Sequence, residues 1–364
     1  MSIPLFNLNR VLKPHYSELE KTFKQCLVEG RFINGPQIEI FENQLANYLG
    51  IDHVIGVSSG SDALIVALRA LGLQEGDEIL VTPFTFVASA SSILRAGLKP
   101  TFVDISPDSF HPSAEDYENA WTAATKGILF VHLFGEPGDL LAIKDLCARK
   151  RAVLIEDCAQ SLGSRTKKGE MIGTEGDIST FSFFPAKNLG CLGDGGAVAT
   201  KKASLSTSMR ALKAHGAPKK YCTEILGGNF RLDTLHAAFL SVLLPHLPMW
   251  IKQRTQNAAF YHSHLSHLPD LIVPKPLLGH SWNQYTLRTP RRDKLKEFLD
   301  EKGIGNAIYY PIPLHKQPLF ENGQRLPNVE QRCAEVISIP IYPGLSENER
   351  ENVVQYITKF MEQT

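Results

Sequence analysis

Short apolar runs alternate along the first half of the chain with longer stretches whose apolar residues recur every three to four positions. The apolar runs lie at residues 77–81, 99–103, 127–131 and 152–155. The stretches of helical spacing lie at residues 63–71, 88–96 and 140–150. Apolar runs without polar alternation are typical of strands that helices cover on both faces. The pattern therefore predicts repeated strand–helix units, which form a mostly parallel sheet in α/β/α layers.

The pattern changes after residue 230. Residues 231–247 and 249–265 have the spacing of two long helices, and a proline-rich stretch follows at 269–276. The next segments predict a strand, a helix and a strand, at residues 284–289, 294–302 and 308–310. We therefore predict a large domain over residues 1–248 and a smaller α+β domain over residues 249–364.

The amino-acid composition limits the kinds of molecule that the protein is expected to bind. The 364 residues include 38 basic and 38 acidic side chains, for a formal net charge of +0. Because no basic field or polybasic run is present, the sequence gives no reason to expect binding to nucleic acid or to an anionic membrane. Six scattered cysteines without a CxxC pair argue against a disulfide framework and against a zinc site, so we expect no metal.

Two further features bear on location. The first ten residues, MSIPLFNLNR, lack the charged leader and long apolar run of a signal peptide. The most apolar long stretch, residues 235–250, contains Pro245, Pro248 and two histidines. We expect it to be too short and too interrupted to span a bilayer, and to form a buried or interface helix instead. A reducing cytoplasm fits these features and the scattered cysteines.

Candidate chemistry centres on Lys187, in the stretch FSFFPAKNLG at residues 181–190. A lysine on a turn bounded by proline and glycine forms a Schiff base when burial or a nearby cation lowers its pKa. About thirty residues earlier, the apolar run 152–155 ends in Glu156 and Asp157. A Schiff-base lysine and a carboxylate for a pyridinium nitrogen are the minimum that a protein supplies to pyridoxal 5'-phosphate (PLP).

A phosphate site is also indicated. Residues 57–64, VSSGSDAL, join an apolar strand to a helix, and Gly60 allows a tight turn there. Ser59 or Ser61 can cap the helix and leave amide groups free for an anion, although an ordinary helix cap has the same sequence. Ser182, five residues before Lys187, adds a second hydroxyl.

Two aromatic positions stay open on this reasoning. Phe86, in the run TPFTF at residues 82–86, is suited to stacking on a flat heteroaromatic ring or to the core. His132 follows the apolar run 127–131 and is equally compatible with a structural or a functional role.

Seven motifs in order together resemble the DegT/DnrJ/StrS group of PLP-dependent sugar aminotransferases, within the fold-type-I PLP enzymes. The motifs lie at residues 34–36, 59–64, 156–160, 181–190, 193–196, 229–233 and 309–315. They cover essentially the whole chain. The resemblance implies the fold-type-I architecture, with a large PLP-binding domain and a smaller C-terminal domain.

The resemblance also implies roles for single residues around the cofactor ring. Lys187 would form the Schiff base with PLP, and Asp157 would pair with the pyridine nitrogen. Gln160 would approach the phenolic oxygen of the cofactor, and Phe86 would stack on its ring.

Further roles concern the phosphate and the substrate. Gly60, Ser61 and Ser182 would hold the phosphate, and Asn229 would reach it from the neighbouring subunit. Two active sites would thus form only in a homodimer that shares them. The residues expected to handle the nucleotide sugar are Asn34, Tyr310 and His315.

The implied reaction moves an amino group from glutamate to a keto-sugar nucleotide, with pyridoxamine 5'-phosphate between the two halves. The runs at residues 187–190, 193–196 and 310–315 resemble the branch that aminates C3 of a 3-keto hexose linked to UDP or dTDP. Three positions depart from the common family pattern: Glu136, Cys158 and Phe184. The sugar and the pathway, whether lipopolysaccharide, capsule or antibiotic, stay open.

Three alternatives remain beside this interpretation. One is amination at C4. The second is a family member with a regulatory role and no turnover, against which the intact Lys187, Asp157 and Ser182 argue. The third is a nucleotide-binding dehydrogenase, which the α/β pattern allows but which would carry a GxGxxG motif after its first strand. No such motif occurs there.

Overall fold

A seven-stranded sheet lies at the centre of the computed structural model, which describes residues 2–219 and 221–363. Its strands are β1 (His53–Val57), β2 (Glu78–Val81), β3 (Lys99–Phe102), β4 (Thr125–Val131), β5 (Val153–Asp157), β6 (Ile178–Ser182) and β7 (Gly196–Thr200). Their order is β1-β7-β6-β5-β4-β2-β3. Strand β7 is antiparallel to both of its neighbours, whereas β3, β2, β4, β5 and β6 are mutually parallel. The predicted α/β fold with a mostly parallel sheet is confirmed.

Helices cover both faces of this sheet. They are α1 (Leu8–Leu12), α2 (Tyr16–Glu29), α3 (Pro36–Leu49), α4 (Gly60–Ala70), α5 (Val87–Arg95), α6 (Ala114–Asn119), α7 (Leu140–Lys150) and α8 (Ala203–Leu212). Successive residues of a strand enter different cores, because side chains alternate between the faces of a sheet. In β5, Leu154 packs with α3 and α7, while Ile155 packs with α4 and α5. This double burial explains the continuous apolar runs in the sequence.

Helix α9 (Thr234–Leu243) packs with α3 in the core of the large sheet. The remaining elements form a smaller α+β unit. They are α10 (Leu247–Leu265), β8 (Tyr285–Arg288), α11 (Arg292–Glu301), α12 (Pro327–Glu335), β9 (Val336–Ile339) and α13 (Glu347–Met361). Strands β8 and β9 pair antiparallel. The prediction of a strand at 308–310 is wrong. Its apolar residues pack instead against the core between the sheet and α12, and β9 takes the place of the partner strand.

The helices near residue 248 also differ from the prediction. Helix α9, a 3-10 turn at Leu244–His246 and α10 follow one another without a break. Pro245 and Pro248 do not interrupt the run because both occupy the first turn of a helix, where no intrahelical N–H bond is lost. Residue 248 lies in the first turn of α10, and the domain boundary there stays a prediction. Trp250 of α10 packs in the core of the large sheet, and Tyr261 packs in the core of the smaller unit.

This continuous run bears on the question of a membrane span. Among the described residues, Thr234–Leu265 forms one helical run that is long and apolar enough to cross a membrane, judged by length and composition alone. The expectation that it is too short is therefore wrong. Half of its most apolar window is buried inside the protein, and core helices of soluble proteins meet the same criterion.

An ion pair joins the first helix to the last. Arg10 of α1 donates through both terminal nitrogens to the carboxylate of Glu349 in α13, and the Nη2–Oε1 distance is 2.8 Å. Glu349 is buried and also closes a capping box with Ser346 at the start of α13. The hydrogen bond from Arg10 lowers the pKa of Glu349 from 4.5 to about 2. The charged form of Glu349 therefore stabilises the fold above its ordinary pKa.

We predict that Arg10→Met lowers the free energy of unfolding by about 1–2 kcal/mol at neutral pH, since it removes charged hydrogen bonds. The stabilisation from Glu349 is present above pH 4.5 and is lost as the pH falls towards 2. The difference between wild type and variant should therefore shrink over that range in urea denaturation curves. Lys359→Met, an exposed change on α13, is the control. A difference that does not vary with pH would contradict this account.

Candidate active site

A cavity of about 490 Å³ opens at the carboxyl ends of β5 and β6, beside the first turns of α4 and α5. Ligands bind at this edge in parallel α/β sheets, because the loops and helix N-termini there face a common crevice. Eight of the eleven residues that the sequence indicated line this cavity. They are Gly60, Ser61, Phe86, Asp157, Gln160, Ser182, Lys187 and Tyr310.

Asp157 is the last residue of β5 and is buried at the floor of the cavity. Ser89 of α5 donates its hydroxyl to Asp157 Oδ2 over 2.8 Å, and the Ala159 amide donates to Oδ1 over 3.1 Å. Burial raises the pKa of Asp157, and these two hydrogen bonds and the charge of Lys187 oppose that rise. The carboxylate thus has fixed donors and a neighbouring cation that favour its charged form.

Lys187 lies on a closed turn after β6. Its amide donates to the Phe184 carbonyl over 2.8 Å, and a side chain at Gly190 would place Cβ 2.4 Å from the Pro185 carbonyl oxygen. Only glycine therefore allows the turn to close. Burial lowers the pKa of Lys187 to about 8, while Asp157 acts in the opposite direction. A lowered pKa increases the share of neutral, nucleophilic amine near neutral pH.

The start of α4 forms the anion-binding end of the cavity. The Ser59 hydroxyl caps the helix by accepting from the Asp62 amide over 3.1 Å. Gly60 is the first helical residue, and a Cβ there would lie 2.7 Å from Ser182 Cβ. The missing side chain lets β6 bring the Ser182 hydroxyl to the helix N-terminus, beside Ser61. Free amides and hydroxyls at a helix N-terminus suit a phosphate, so these residues fit the phosphate of PLP.

Phe86 and Tyr310 form a wall of the cavity. Phe86 is 56% exposed, so it is not a core residue, and its ring centroid lies 6.3 Å from that of Tyr310. Gln160 is held by the Phe134 amide, which donates to Oε1 over 2.7 Å, and its Nε2 lies 3.5 Å from the Tyr310 hydroxyl. The exposed aromatic face and the oriented amide suit a flat polar ring. Stacking by Phe86 and contact by Gln160 stay predictions.

A buried polar pair lies on the other side of β5. The Nε2 atom of His132 lies 3.1 Å from Glu156 Oε2, and Nδ1 lies 3.0 Å from the Pro137 carbonyl. A carbonyl only accepts, so Nδ1 carries a proton. The second ring nitrogen, Nε2, forms its hydrogen bond with the Glu156 carboxylate. Burial raises the pKa of Glu156, but His132 and backbone amides outweigh it and lower that pKa. His132 thus has a structural role beneath the site.

His132, Glu156 and Cys158 also bring ligand atoms within 4.8 Å of one another, a spacing compatible with a metal ion. The oxygens of Glu156 are occupied by donors from His132 and from the amides of Gly173, Glu175 and Gly176. Both ring nitrogens of His132 have partners as well. This arrangement accounts for the cluster as a hydrogen-bond network of the protein.

Three of the indicated residues lie outside the cavity. Asn34 has a left-handed backbone conformation (φ 52°) in an exposed turn. Asn229 stands on the segment after Gly228 and forms an isolated bridge with Ala214. His315 is buried, and its Nε2 lies 3.0 Å from Glu330 Oε1. Substrate contact by Asn34 and His315, and phosphate contact by Asn229 in a second subunit, stay predictions.

Sequence reasoning missed several residues of the site. Ser89 lies one helical turn into α5, and a serine in a helix gives no distinctive signal. Asp194 lines the cavity from the motif at residues 193–196, whose resemblance to the family gave no role to this carboxylate. Asn283, Gln284 and Tyr309 reach the cavity from the smaller unit. Contacts between distant segments have no periodicity by which the sequence could reveal them.

A comparison with protein families gives one match that spans nearly the whole chain. The sequence model of the DegT/DnrJ/EryC1/StrS aminotransferase family matches residues 15–358.

Curated relatives of similar length give the same result. A "pleiotropic regulatory protein" of Geobacillus stearothermophilus is 42% identical, over 99% of both chains. A dTDP-3-amino-3,4,6-trideoxy-α-D-glucose transaminase of Streptomyces venezuelae is 37% identical, over 99% of this chain and 96% of the relative. A UDP-N-acetyl-3-dehydro-α-D-glucosamine 3-aminotransferase of Acidithiobacillus ferrooxidans is 38% identical, over 98% of both.

Solved structures agree over the full length. The S. venezuelae protein DesV, in complex with a ketimine intermediate, superposes with a TM-score of 0.96 at 36% identity and covers 100% of this chain and 99% of its own. The Bacillus subtilis protein NtdA, with bound cofactor PMP, superposes with a TM-score of 0.94 at 30% identity and covers 100% of this chain and 86% of its own.

We predict that Ser89→Ala slows the half-reaction with the amino donor about tenfold, the cost of one hydrogen bond to a charged group. Without the serine donor the pKa of Asp157 rises, so the acid limb of the pH–rate profile should move to higher pH. Single-turnover absorbance changes at a series of pH values measure both effects. Ser91→Ala, on the same helix and without a bond to Asp157, is the matched control. An unshifted acid limb would show that Ser89 does not act through Asp157.

Proposed function

The chain belongs to the DegT/DnrJ/EryC1/StrS aminotransferase family, and we propose that it transfers an amino group from glutamate to C3 of a 3-keto hexose linked to UDP or dTDP. The observation that carries this proposal is the meeting of Lys187, Asp157 and the serine-lined N-terminus of α4 in one cavity. The enzyme class, a PLP-dependent nucleotide-sugar aminotransferase, follows from the family. The donor and the sugar carbon belong to the proposal.

The bound cofactor supplies an electron sink for the carbanion that forms when the donor loses its α-proton. Asp157 would favour a proton on the ring nitrogen, because Ser89 and the Ala159 amide hold its carboxylate in place. Lys187 Nζ would hold the cofactor, and its free amine would move the proton of the donor as base and then as acid. A lysine pKa of about 8 suits both roles, since neither protonation state is costly near neutral pH.

The serines at the phosphate end would determine how deeply the cofactor lies in the cavity. Ser61 and Ser182 would bind the phosphate, so the cofactor carbon that accepts and donates the amine has a constant position relative to Lys187. The contacts that hold the nucleotide decide which sugar carbon reaches that position. We assign these contacts to Asn34, Tyr310 and His315. Phe86 and Tyr310 would exclude water from the ring.

Amination at C3 is supported by two features of the sequence. The runs KNLG at residues 187–190 and GDGG at residues 193–196 are similar to the C3 branch of the family. Relatives at 37% and 38% identity carry names that state a 3-amino sugar product and a 3-aminotransferase activity. A relative named as a 4-aminotransferase is 33% identical.

A regulatory role is the second candidate, because the relative at 42% identity is named a pleiotropic regulatory protein. Catalysis is favoured in this chain by the complete set of groups in the cavity. Lys187, Asp157 and Ser182 are all present and face the same space. A regulator without turnover has no requirement for a lysine with a lowered pKa opposite a fixed carboxylate.

We further propose a homodimer in which each subunit completes the other's site. Asn229 does not line the cavity of its own chain, although family resemblance assigns it to the phosphate. Helix α2 and the segment after it expose large apolar side chains that a second copy would cover: Phe23, Leu27, Val28, Phe32 and Ile33. A cytoplasmic location is supported by the six cysteines, all of which are free. We extend the proposal to polysaccharide or antibiotic sugar pathways, lipopolysaccharide among them.

We predict that the pyridoxamine form of the enzyme aminates a 3-keto sugar nucleotide in preference to its matched 4-keto isomer. The measurement is NMR location of the new amine in the product, together with the return of the pyridoxal spectrum. Lys187→Ala should give no product with either substrate, and Lys168→Ala, an exposed lysine, should behave as wild type. Preference for the 4-keto isomer would contradict the C3 assignment, and absence of turnover with a panel of keto-sugar nucleotides would favour the regulatory role.

We predict that mixing two defective variants restores activity. Lys187→Ala subunits lack the lysine, and Asn229→Ala subunits fail to complete a partner's phosphate site. In a mixed dimer the Asn229→Ala subunit keeps its own lysine and receives Asn229 from the Lys187→Ala subunit, so one site of two is intact. Differently tagged subunits allow the heterodimer to be isolated and assayed. If the isolated heterodimer stays inactive, the sites are not shared in this way.

A further inference from the structure

Arg254, in the middle of α10, is a buried cation. The residue is 2% exposed, and its Nη1 donates to the carbonyl oxygens of Trp282 and Asn283 over 3.0 and 3.3 Å. Among the described residues, no carboxylate forms an ion pair with it, and Nε has no hydrogen-bond partner. Burial without an acidic neighbour lowers the pKa of Arg254 to about 9. A buried guanidinium without a counter-charge is costly, and such groups are ordinarily paired.

A small cavity adjoins this side chain, between α10 and the turn that carries Lys187. Its volume is about 10 Å³, and its polar lining consists of Arg254, Lys187 and Asn188. The other described lining residues are apolar, with Trp250 and Pro185 among them, and none is acidic. The cavity thus adjoins the buried guanidinium of Arg254, and its lining contains no acidic residue.

Asn188 does not supply the missing acceptor. Its Oδ1 accepts from Asn283 Nδ2 over 3.1 Å, and its Nδ2 donates to the Leu162 carbonyl over 3.2 Å. Both ends of the amide are therefore engaged away from Arg254. The polar groups around the cavity offer donors and positive charge, so they select for an anion.

The size of the cavity restricts the anion. The space open to the centre of a water-sized sphere is about 10 Å³, so the cavity suits a single atom rather than a group of several. Carboxylates, phosphate and sulfate have several heavy atoms and fit it less well than a monatomic ion. A water molecule fits but leaves the charge of Arg254 uncompensated. A weakly hydrated monatomic anion satisfies the charge and tolerates the apolar walls.

We propose that a halide ion, chloride under ordinary conditions, binds in this cavity as the counter-ion of Arg254, directly behind the turn that carries Lys187. The site adjoins the cavity that we assign to the cofactor and substrate, and Lys187 lines both. It would compensate the charge of Arg254 and stabilise the contact between α10 and residues 185–190.

The direct test is diffraction from crystals of the PLP-loaded enzyme grown or soaked in sodium bromide. We expect an anomalous difference peak beside Arg254 Nε, within the cavity lined by Asn188 and Trp250. In crystals of Arg254→Met the peak should be lost, and in crystals of Lys252→Met, an exposed change on the same helix, it should persist. Density with no anomalous signal, which indicates water only, would overturn the proposal, as would a peak that persists in Arg254→Met.

A second test, in solution, shows whether the halide also binds outside the crystal. It also shows whether the Arg254→Met variant is folded. The melting temperature of wild type should rise by about 3 °C from sodium gluconate to sodium chloride or bromide at equal ionic strength, and the rise should saturate with halide concentration. Lys252→Met should show the same rise, and Arg254→Met should show none. Equal melting temperatures of wild type in halide and gluconate, or a rise that Arg254→Met shares, would contradict a site at Arg254. Neither test depends on turnover or on the sugar substrate.

Discussion

The carboxylate of Glu156 fixes the end of β5, and the active site depends on that position. Glu156 is fully buried and accepts hydrogen bonds from His132 and from the amides of Gly173, Glu175 and Gly176. These donors come from the end of β4 and from the loop before β6, so one side chain holds three segments together. Because side chains alternate along a strand, the next residue, Asp157, faces the cavity. The hydrogen bonds of Glu156 on one face of the sheet therefore help to hold Asp157 in place on the other face.

The opposing charges of Asp157 and Lys187 then set each other's protonation. Burial alone would neutralise both groups, since it raises the pKa of the acid and lowers the pKa of the amine. Their mutual attraction counters burial at both positions. Ser89 adds a donor that only the acid uses. The result is a carboxylate with fixed partners opposite an amine that exchanges its proton near neutral pH, which is the combination that transamination requires.

The parts of the fold that the sequence predicted are those with a strong local signal. The apolar runs at 127–131 and 152–155 lie within β4 and β5 or overlap them, because strands covered on both faces have no polar positions. The catalytic turn was predictable because Pro185 and Gly190 bound it. The strand expected at 308–310 was wrong because apolar residues there pack between two units, and periodicity does not distinguish a strand from a short packed segment. The prediction that Pro245 and Pro248 interrupt the helical run was wrong for a related reason, since the effect of a proline depends on its position within a helix.

What the sequence could not reveal is how the smaller unit closes the site. The segment from Ser281 to Gln284 donates amides to the carbonyls of Gly135 and Phe134, and Asn283 binds Asn188 beside the catalytic lysine. Arg254 in turn holds the carbonyls of this segment from α10. Asn188 and Asn283 lie 95 positions apart along the chain. A motif search finds each residue set separately, whereas the placement of Lys187 depends on their contact. The turn that carries Lys187 thus follows directly on β6 of the sheet, and the smaller unit holds it through Asn188, Asn283 and a buried guanidinium.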